Sequence, residues 1–160
     1  MQSIDPKQEQ RVWSRVMQAD PQTFQEPTPR PTTLAQQLLD GYEAERKACA
    51  QYRAMASCAC GCTRKTLQSL AAEASCDAKT FAALYFLSTG VRPCGEMIHQ
   101  EPVCDLCCGL RERYSAEMQA AETYQKIAER MGKENCRVKC IAERKACAAQ
   151  RLLRLIEACV

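Results

Sequence analysis

Cysteine is the residue type with the most capacity for chemistry in this chain, whose 160 residues include 13 cysteines and one histidine. Eight of the cysteines fall into three close groups, Cys58-x-Cys60-x-Cys62, Cys104-x-x-Cys107-Cys108 and Cys136-x-x-x-Cys140. Thiolates are soft ligands that select Cu(I), Zn(II) or an iron–sulfur cluster. We therefore predict that these eight residues bind soft metal ions, with Cu(I) or Zn(II) favoured and iron as an alternative.

Two other roles for the grouped thiols remain open on the sequence alone. They would form disulfides in an oxidising compartment, although neighbours such as Cys107 and Cys108 rarely bond each other without strain. Cys104-x-x-Cys107 also has the spacing of an exchanging redox dithiol. Three mid-helix cysteines are instead expected to be small buried apolar residues. These are Cys49, Cys76 and Cys147.

Apolar residues recur at spacings of three and four over most of the chain, which is the pattern of amphipathic helices. Four helices are predicted, beginning after an N-cap at Thr33 and separated by Gly61, Gly90 and Gly132. Their apolar stripes run through Leu38, Tyr42, Cys49, Tyr52 and Ala56; Leu67, Leu70, Ala74, Phe81 and Leu84; Leu110, Tyr114, Ala121, Tyr124 and Ala128; and Val138, Ile141, Ala148, Leu152 and Leu155.

The N-terminal residues differ in pattern from the rest of the chain. Residues 4–18 are predicted to form a short amphipathic helix, and the proline-rich residues after them a linker or strap. We therefore divide the chain into an N-terminal helix and strap, residues 1–33, and a helical domain, residues 34–160.

The helical domain repeats itself at an almost constant offset. The connection between the repeats, roughly Val91 to Leu106, has no helical pattern and is long enough to run the length of a bundle. The expected fold is all-α: an antiparallel four-helix bundle of two duplicated helical hairpins joined by a long crossover, with the short N-terminal helix added. Matching positions include Glu45 with Glu117, Tyr52 with Tyr124 and Ala56 with Ala128.

Such a crossover would gather the cysteine groups at the ends of the bundle, because the second and third helices would then run in the same direction. One end is expected to hold Cys58, Cys60, Cys62, Cys104, Cys107, Cys108 and Cys159. The opposite end is expected to hold Cys94, Cys136 and Cys140.

A repeated motif, Glu-x-x-Ala-x-x-x-Tyr, occurs at 45–52 and at 117–124, within the segments AERKACAQYRAMA and LRERYSAEMQAAETYQKIAE. With these motifs residues 34–158 resemble the ferritin-like, rubrerythrin-type family of four-helix di-iron carboxylate proteins. The resemblance implies a ferritin-like bundle in which each hairpin supplies one Glu from its first helix and a Glu-x-x-His from its second. Glu45 and Glu117 match the first-helix ligands.

The second-helix ligands of that family are missing from this sequence. Their positions fall on Ala74-x-x-Asp77 and on Lys145-x-x-Ala148, so only Asp77 offers an oxygen ligand. The resemblance therefore implies the fold without the di-iron activity.

Glu45, Asp77, Glu117 and Lys145 interrupt the apolar stripes, and buried charges need partners. Because Lys145 stands at a ligand position facing Glu45 and Glu117, we predict a buried, metal-free polar network. The alternative is a residual iron or manganese centre built from the three carboxylates. The residues assigned to this centre are Glu45, Tyr52, Asp77, Glu117, Tyr124 and Lys145.

Composition limits the partners of the protein. The net charge is +3 with both signs interspersed, which gives no indication of nucleic-acid binding. No apolar run approaches the ~18 residues of a membrane helix, and the N-terminus lacks a signal-peptide pattern. We expect a cytoplasmic protein without nucleic-acid or membrane partners, and a homo-oligomer is left open.

The leading functional hypothesis is a cysteine-rich ferritin-like protein that binds or stores soft metal ions through thiolate clusters. The alternatives are a rubrerythrin-like di-iron or manganese oxidase or peroxidase, and a thiol–disulfide redox protein.

Overall fold

The computed structural model describes residues 33–95, 97–98, 103, 105–132 and 136–159. This part of the chain forms four α-helices and no strand, which confirms the all-α class and the four predicted helices. The predicted N-terminal helix and strap lie outside the described residues and stay predictions. The helices are α1 (Leu34–Cys58), α2 (Gly61–Thr89), α3 (Leu106–Met131) and α4 (Cys136–Glu157).

Helix ends are set by local hydrogen bonds. The Thr33 hydroxyl accepts from the amide of Gln36, and the Asp105 carboxylate accepts from the amide of Cys107. Each bond satisfies a donor that the first turn of a helix leaves unpaired. Gly90 caps α2 in the left-handed conformation, with φ of 73°, which glycine adopts without strain. The predicted N-cap at Thr33 and the predicted stop at Gly90 are therefore confirmed.

The other two glycine breaks are also close to helix boundaries. Gly61 is the first residue of α2, so the break between the first two helices falls at Ala59 and Cys60. Gly132 directly follows the last residue of α3.

The helices form two hairpins, α1 with α2 and α3 with α4, and the hairpins meet where α1 packs on α3 and α2 on α4. Tyr52 contacts Glu117 whereas Glu45 contacts Tyr124, so α1 and α3 run antiparallel. Since the two-residue turn makes α1 and α2 antiparallel as well, α2 and α3 run in the same direction. The connection from α2 to α3 therefore returns along the bundle, as the sequence predicts.

The apolar core is divided into two clusters that lie toward opposite ends of the bundle. One includes Tyr52, Met55, Leu67, Leu70, Leu110 and Leu152. The other includes Leu38, Phe81, Tyr124, Ile127, Val138 and Ile141. Along each helix, one charged residue separates the two clusters.

Most residues of the four predicted stripes are buried. The half-buried exceptions are Tyr42, Leu84, Tyr114, Ala121 and Leu155. None of the described helices is long and apolar enough to cross a bilayer.

Candidate functional site

Each helix contributes one charged side chain to the middle of the bundle: Glu45, Asp77, Glu117 and Lys145, all at most 3% exposed. The Lys145 ammonium lies among the three carboxylates. Its Nζ is 2.5 Å from Glu45 Oε2, 3.4 Å from Glu117 Oε2 and 3.6 Å from Asp77 Oδ2. The network expected from the sequence is thus assembled around one lysine.

Among the described residues, only Glu45 accepts a hydrogen bond from this ammonium. The facing oxygens of Asp77 and Glu117 are buried and have no hydrogen-bond partner in the part of the chain that the structure describes. At 3.6 and 3.4 Å they interact with Lys145 mainly through charge, because these distances exceed those of a good N–H···O bond.

Two arginines that sequence reasoning missed complete the centre. Arg113 pairs with Glu117 and Arg144 pairs with Asp77. Together with Lys145 they match three carboxylates with three cations, so the buried centre is electrically balanced. The spacing of Arg113 and Glu117, one turn apart on α3, is a signal that could have indicated this pair.

The repeated motif forms two crosswise hydrogen bonds. Tyr52 of α1 donates to Glu117 Oε1 of α3 at 2.8 Å, and Tyr124 of α3 donates to Glu45 Oε1 of α1 at 2.8 Å. Each tyrosine therefore orients the glutamate of the other repeat. Arg113 additionally lies over the Tyr52 ring, 5.1 Å from its centroid.

Burial and neighbouring charges shift the pKa values of several groups in this centre. Burial lowers the pKa of Lys145, but the charges of Glu45 and Glu117 outweigh it, so the net pKa is raised. Burial raises the pKa of Glu45, against the attraction of Lys145. Burial and the neighbouring glutamates raise the pKa of both tyrosines, Tyr52 and Tyr124, above the ordinary value of 10.0. The lysine therefore stays charged and the tyrosines stay protonated at neutral pH.

These residues do not fit a two-iron centre. The ammonium of Lys145 fills the space between the carboxylates, and Arg113 and Arg144 bind two of the carboxylates from outside. Neither second-helix Glu-x-x-His is present. Within the described ranges, no group of three or more His, Cys, Asp or Glu is arranged to hold a metal ion.

Cysteines from three segments lie at one end of the bundle, which we call the cysteine end. It comprises Cys58 at the end of α1, Cys60 in the following turn, Cys62 at the start of α2, Cys107 and Cys108 at the start of α3, and Cys159 just past α4.

Contacts between these segments are seen at the cysteine end. Cys107 at the start of α3 and Cys159 just past α4 lie near enough for the Cys159 side chain to raise the pKa of Cys107. Cys58 Sγ is 3.9 Å from the carbonyl oxygen of Val103, in the segment leading into α3. Cys104, a predicted ligand, lies outside the described residues.

The thiols at the start of α3 are hard to ionise. The hydrogen bond with Cys159 raises the pKa of Cys107, and the charge of Glu112 raises the pKa of Cys108. Both are therefore neutral thiols at physiological pH, and any metal that binds them must displace protons.

The remaining cysteines differ in exposure. Cys94, Cys136 and Cys140 are exposed at the opposite end, and Cys49 is buried as expected. The expectation of burial is wrong for Cys76 and Cys147, which are exposed. Cys76 precedes the inward-facing Asp77, and one step along a helix turns a side chain by about 100°. All twelve cysteines that the structure describes are free thiols.

Comparisons of the chain with protein-family models, curated proteins and solved structures gave no match.

Proposed function

We propose that the protein binds Cu(I) through paired thiolates at the cysteine end of a ferritin-like bundle whose di-iron position is filled by ion pairs. The observation that carries the proposal is that cysteines from three segments, among them Cys107 and Cys159, lie together at the cysteine end. The antiparallel hairpin of α3 and α4 brings the start of α3 and the end of α4 to the same end of the bundle, so sulfurs from distant parts of the chain lie on one accessible surface.

The ferritin-like assignment is supported by the bundle centre. The crosswise bonds Tyr52–Glu117 and Tyr124–Glu45 relate the two hairpins as duplicates. The long connection also joins two helices that run in the same direction, which is the one-crossover topology of ferritin-like bundles. The same centre argues against the alternative of a di-iron or manganese oxidase, because Lys145 lies where metal charge would be needed.

A site with two sulfur ligands favours Cu(I) over Zn(II). Zn(II) in structural sites takes four ligands in a tetrahedron. Cu(I) is softer and is stable with two thiolates in a linear arrangement. Since no third ligand joins Cys107 and Cys159 among the residues described, the pair suits Cu(I). Cys58 and Cys108, at the same end, offer further sulfurs for additional ions.

Copper binding should become tighter as the pH rises. Each bound thiol of the pair must lose a proton, and the pKa of Cys107 is raised by its hydrogen bond to Cys159. The apparent affinity should therefore rise by about two orders of magnitude per pH unit below the thiol pKa values.

An anaerobic competition titration tests the proposal. The reduced full chain is titrated with Cu(I) against a coloured Cu(I) chelator, for the wild type and for Cys107→Ser, Cys159→Ser and the matched control Cys147→Ser. We expect the tightest site to be lost in the first two variants and kept in the control, which removes an exposed thiol from the middle of α4. X-ray absorption should show sulfur scatterers only.

Other outcomes would overturn the proposal. If Cys107→Ser and Cys159→Ser bind copper as the wild type does, the pair is not the site. If the anaerobically purified protein holds about two irons and all 13 thiols remain titratable, the oxidase alternative is favoured. If thiols are missing until reductant is added and no metal is found, the disulfide alternative is favoured.

A further inference from the structure

The first turn of α4 carries two thiols at the end of the bundle opposite the cysteine end. Cys136 is the first residue of α4, Cys140 follows one helical turn later, and both are exposed. Val138, midway between them, is fully buried, and two steps along a helix turn a side chain by about 200°. Both cysteines therefore point away from the core, on one side of the helix.

The spacing of these thiols is too wide for a disulfide but suits a bridging ion. Cβ atoms one turn apart on a helix are separated by about 5–6 Å. A disulfide needs Cβ atoms about 3.5–4.5 Å apart, so it would require the first turn of α4 to unwind. Two metal–sulfur bonds of about 2.3 Å in a line place the sulfurs about 4.6 Å apart, which rotation of the side chains can reach. Cys136 and Cys140 can therefore hold one ion between them while the helix stays intact.

The number of ligands narrows the choice of ion. No third His, Cys, Asp or Glu joins the pair among the residues that the structure describes. Zn(II) in structural sites takes four ligands, whereas thiolates select soft Cu(I), which is stable with two. A site of two sulfurs on an exposed helical turn therefore suits Cu(I).

The charges beside the pair are opposite to the charge of such a complex. Cu(I) bound by two thiolates carries one net negative charge. Arg137, one turn before Cys140, and Lys139, one turn after Cys136, are both exposed. The positive end of the helix dipole adds to the attraction, because Cys136 is in the first turn of α4.

Arg144 is a further cation, one turn after Cys140. Burial lowers the pKa of Arg144, but Asp77 and then Cys140 raise it, so the guanidinium lies near this thiol. Asp77 pairs with Arg144, and Glu143 is exposed on the same turn. Three cations against two carboxylates leave one net positive charge among the described residues around the pair, which balances the copper complex.

We propose that Cys136 and Cys140 form a second Cu(I) site, a linear bis-thiolate held by one turn of α4 and balanced by Arg137 and Lys139. The choice of ion rests on the copper-binding function proposed above, but the site uses none of the residues of the cysteine end. Binding exchanges two thiol protons for one Cu(I), so neither an oxidant nor a reductant takes part.

Cys147 provides a comparison within the same helix. It is exposed and has an arginine one turn to either side, Arg144 and Arg151, but it has no cysteine one turn away along α4. Exposure and nearby charge are thus present without the second sulfur. We therefore expect Cys147 not to hold copper.

Protection from alkylation locates bound copper residue by residue. The reduced full chain is mixed anaerobically with increasing Cu(I), pulsed with N-ethylmaleimide and analysed by peptide mass spectrometry. We expect alkylation of Cys136 and Cys140 to slow together by about tenfold or more, since a coordinated sulfur is no longer a free nucleophile. Cys147 should react at its metal-free rate. Unchanged rates at Cys136 and Cys140, or a disulfide between them, would overturn the proposal.

Single substitutions separate this site from the cysteine end. In Cys136→Ser, Cys140 should lose its protection while Cys107 keeps its own, and Cys107→Ser should leave Cys136 and Cys140 protected. Protection of Cys140 that persists in Cys136→Ser would show that the two do not share an ion. In the wild type, protection confined to the cysteine end would overturn this proposal alone, and protection confined to α4 would overturn the cysteine-end proposal alone.

A charge variant tests the balancing role of the two cations. Arg137→Gln/Lys139→Gln should raise the Cu(I) concentration needed for half-protection of Cys140 by about threefold or more at low salt. Lys47→Gln/Arg53→Gln removes the same net charge from exposed positions of α1 and should leave that concentration unchanged. Equal weakening by the two double variants would assign the effect to overall charge and contradict balance by Arg137 and Lys139.

Discussion

Lys145 Nζ donates a 2.5 Å hydrogen bond to Glu45 Oε2, joining residues 100 positions apart in the sequence. The two residues come from α4 and α1, helices that lie on a diagonal of the bundle, because the closest packing pairs are α1–α2, α3–α4, α1–α3 and α2–α4. The ion pair thus passes through the middle of the core. It links two helices that are not among the main packing pairs of the bundle.

Removing the ammonium should strongly destabilise the fold. Lys145→Met leaves three buried carboxylates with only two cations, and breaking a buried ion pair in this way costs about 3–5 kcal/mol. Urea unfolding of the variant measures the loss. The control is Lys139→Met, an exposed position of α4, which should change the free energy of unfolding by less than about 0.5 kcal/mol.

If Lys145→Met does not fold well enough to measure, a second variant keeps the prediction testable. Adding Glu45→Gln removes the carboxylate that has lost its partner, so Lys145→Met/Glu45→Gln should be more stable than Lys145→Met alone. Additive destabilisation by the two substitutions would contradict the coupling that the structure shows.

The two tyrosines of the repeat should contribute differently to the free energy of unfolding, although their hydrogen bonds have equal length. Glu117 Oε1 accepts from both Tyr52 and Arg113, whereas Tyr124 is the described donor to Glu45 Oε1. Tyr124→Phe therefore leaves a buried oxygen unsatisfied and should cost about 1–3 kcal/mol. Tyr52→Phe should cost less. Equal losses in chemical denaturation would show that Arg113 does not compensate.

Much of this centre could be predicted from the sequence, because the charges interrupt apolar stripes whose period fixes which way they face. Glu45, Asp77, Glu117 and Lys145 are buried as that pattern requires. Arg113 and Arg144 could not be found in the same way. Both lie beside the stripes, and whether a long arginine side chain turns inward depends on packing that the pattern does not contain.

The cysteines show a second limit on what could be predicted from the sequence. Helical spacing correctly leaves Cys49 in the core, but Cys76 stands one residue before the inward-facing Asp77, so the expectation that Cys76 is buried neglected the helical register. The proximity of Cys107 and Cys159 depends on the antiparallel pairing of α3 with α4 and on where α4 ends. Such contacts between distant segments follow from topology and not from local motifs.

Stability should fall as pH rises above about 10. Tyr52, Tyr124 and Lys145 all have a pKa above the ordinary values of 10.0 and 10.5, so the folded state keeps protons that the unfolded chain releases. Each retained proton lowers the free energy of unfolding by about 1.4 kcal/mol per pH unit. Their stabilising contribution is complete below these ordinary pKa values and is lost progressively above them.

Guanidinium unfolding of the reduced protein between pH 8 and 11 would measure this dependence. The double variant Tyr52→Phe/Tyr124→Phe removes two of the buried groups with a raised pKa, so its stability should decline less steeply with pH. A decline as steep as that of the wild type would assign the alkaline loss to other groups.

Gly41 connects the helix packing to the charged centre. A Cβ at this position would lie 2.9 Å from two carbons of the Phe81 ring, which is fully buried. Phe81 packs on Tyr124 with ring centroids 4.8 Å apart, and the Tyr124 hydroxyl binds Glu45. Gly41→Ala should therefore lower the free energy of unfolding by about 1–3 kcal/mol through overpacking. The better helix propensity of alanine should offset up to about 1 kcal/mol of this loss.

Gly109→Ala is the matched comparison, since it adds the same methyl group to another helical glycine. Its Cβ would lie 3.2 Å from Met55 Sδ, and a thioether is flexible enough to move aside. The gain in helix propensity should then leave this variant as stable as the wild type or more stable. Thermal unfolding of the two variants checks the difference. If Gly41→Ala is as stable as Gly109→Ala, then the Phe81 ring can shift freely and does not fix Tyr124 against Glu45.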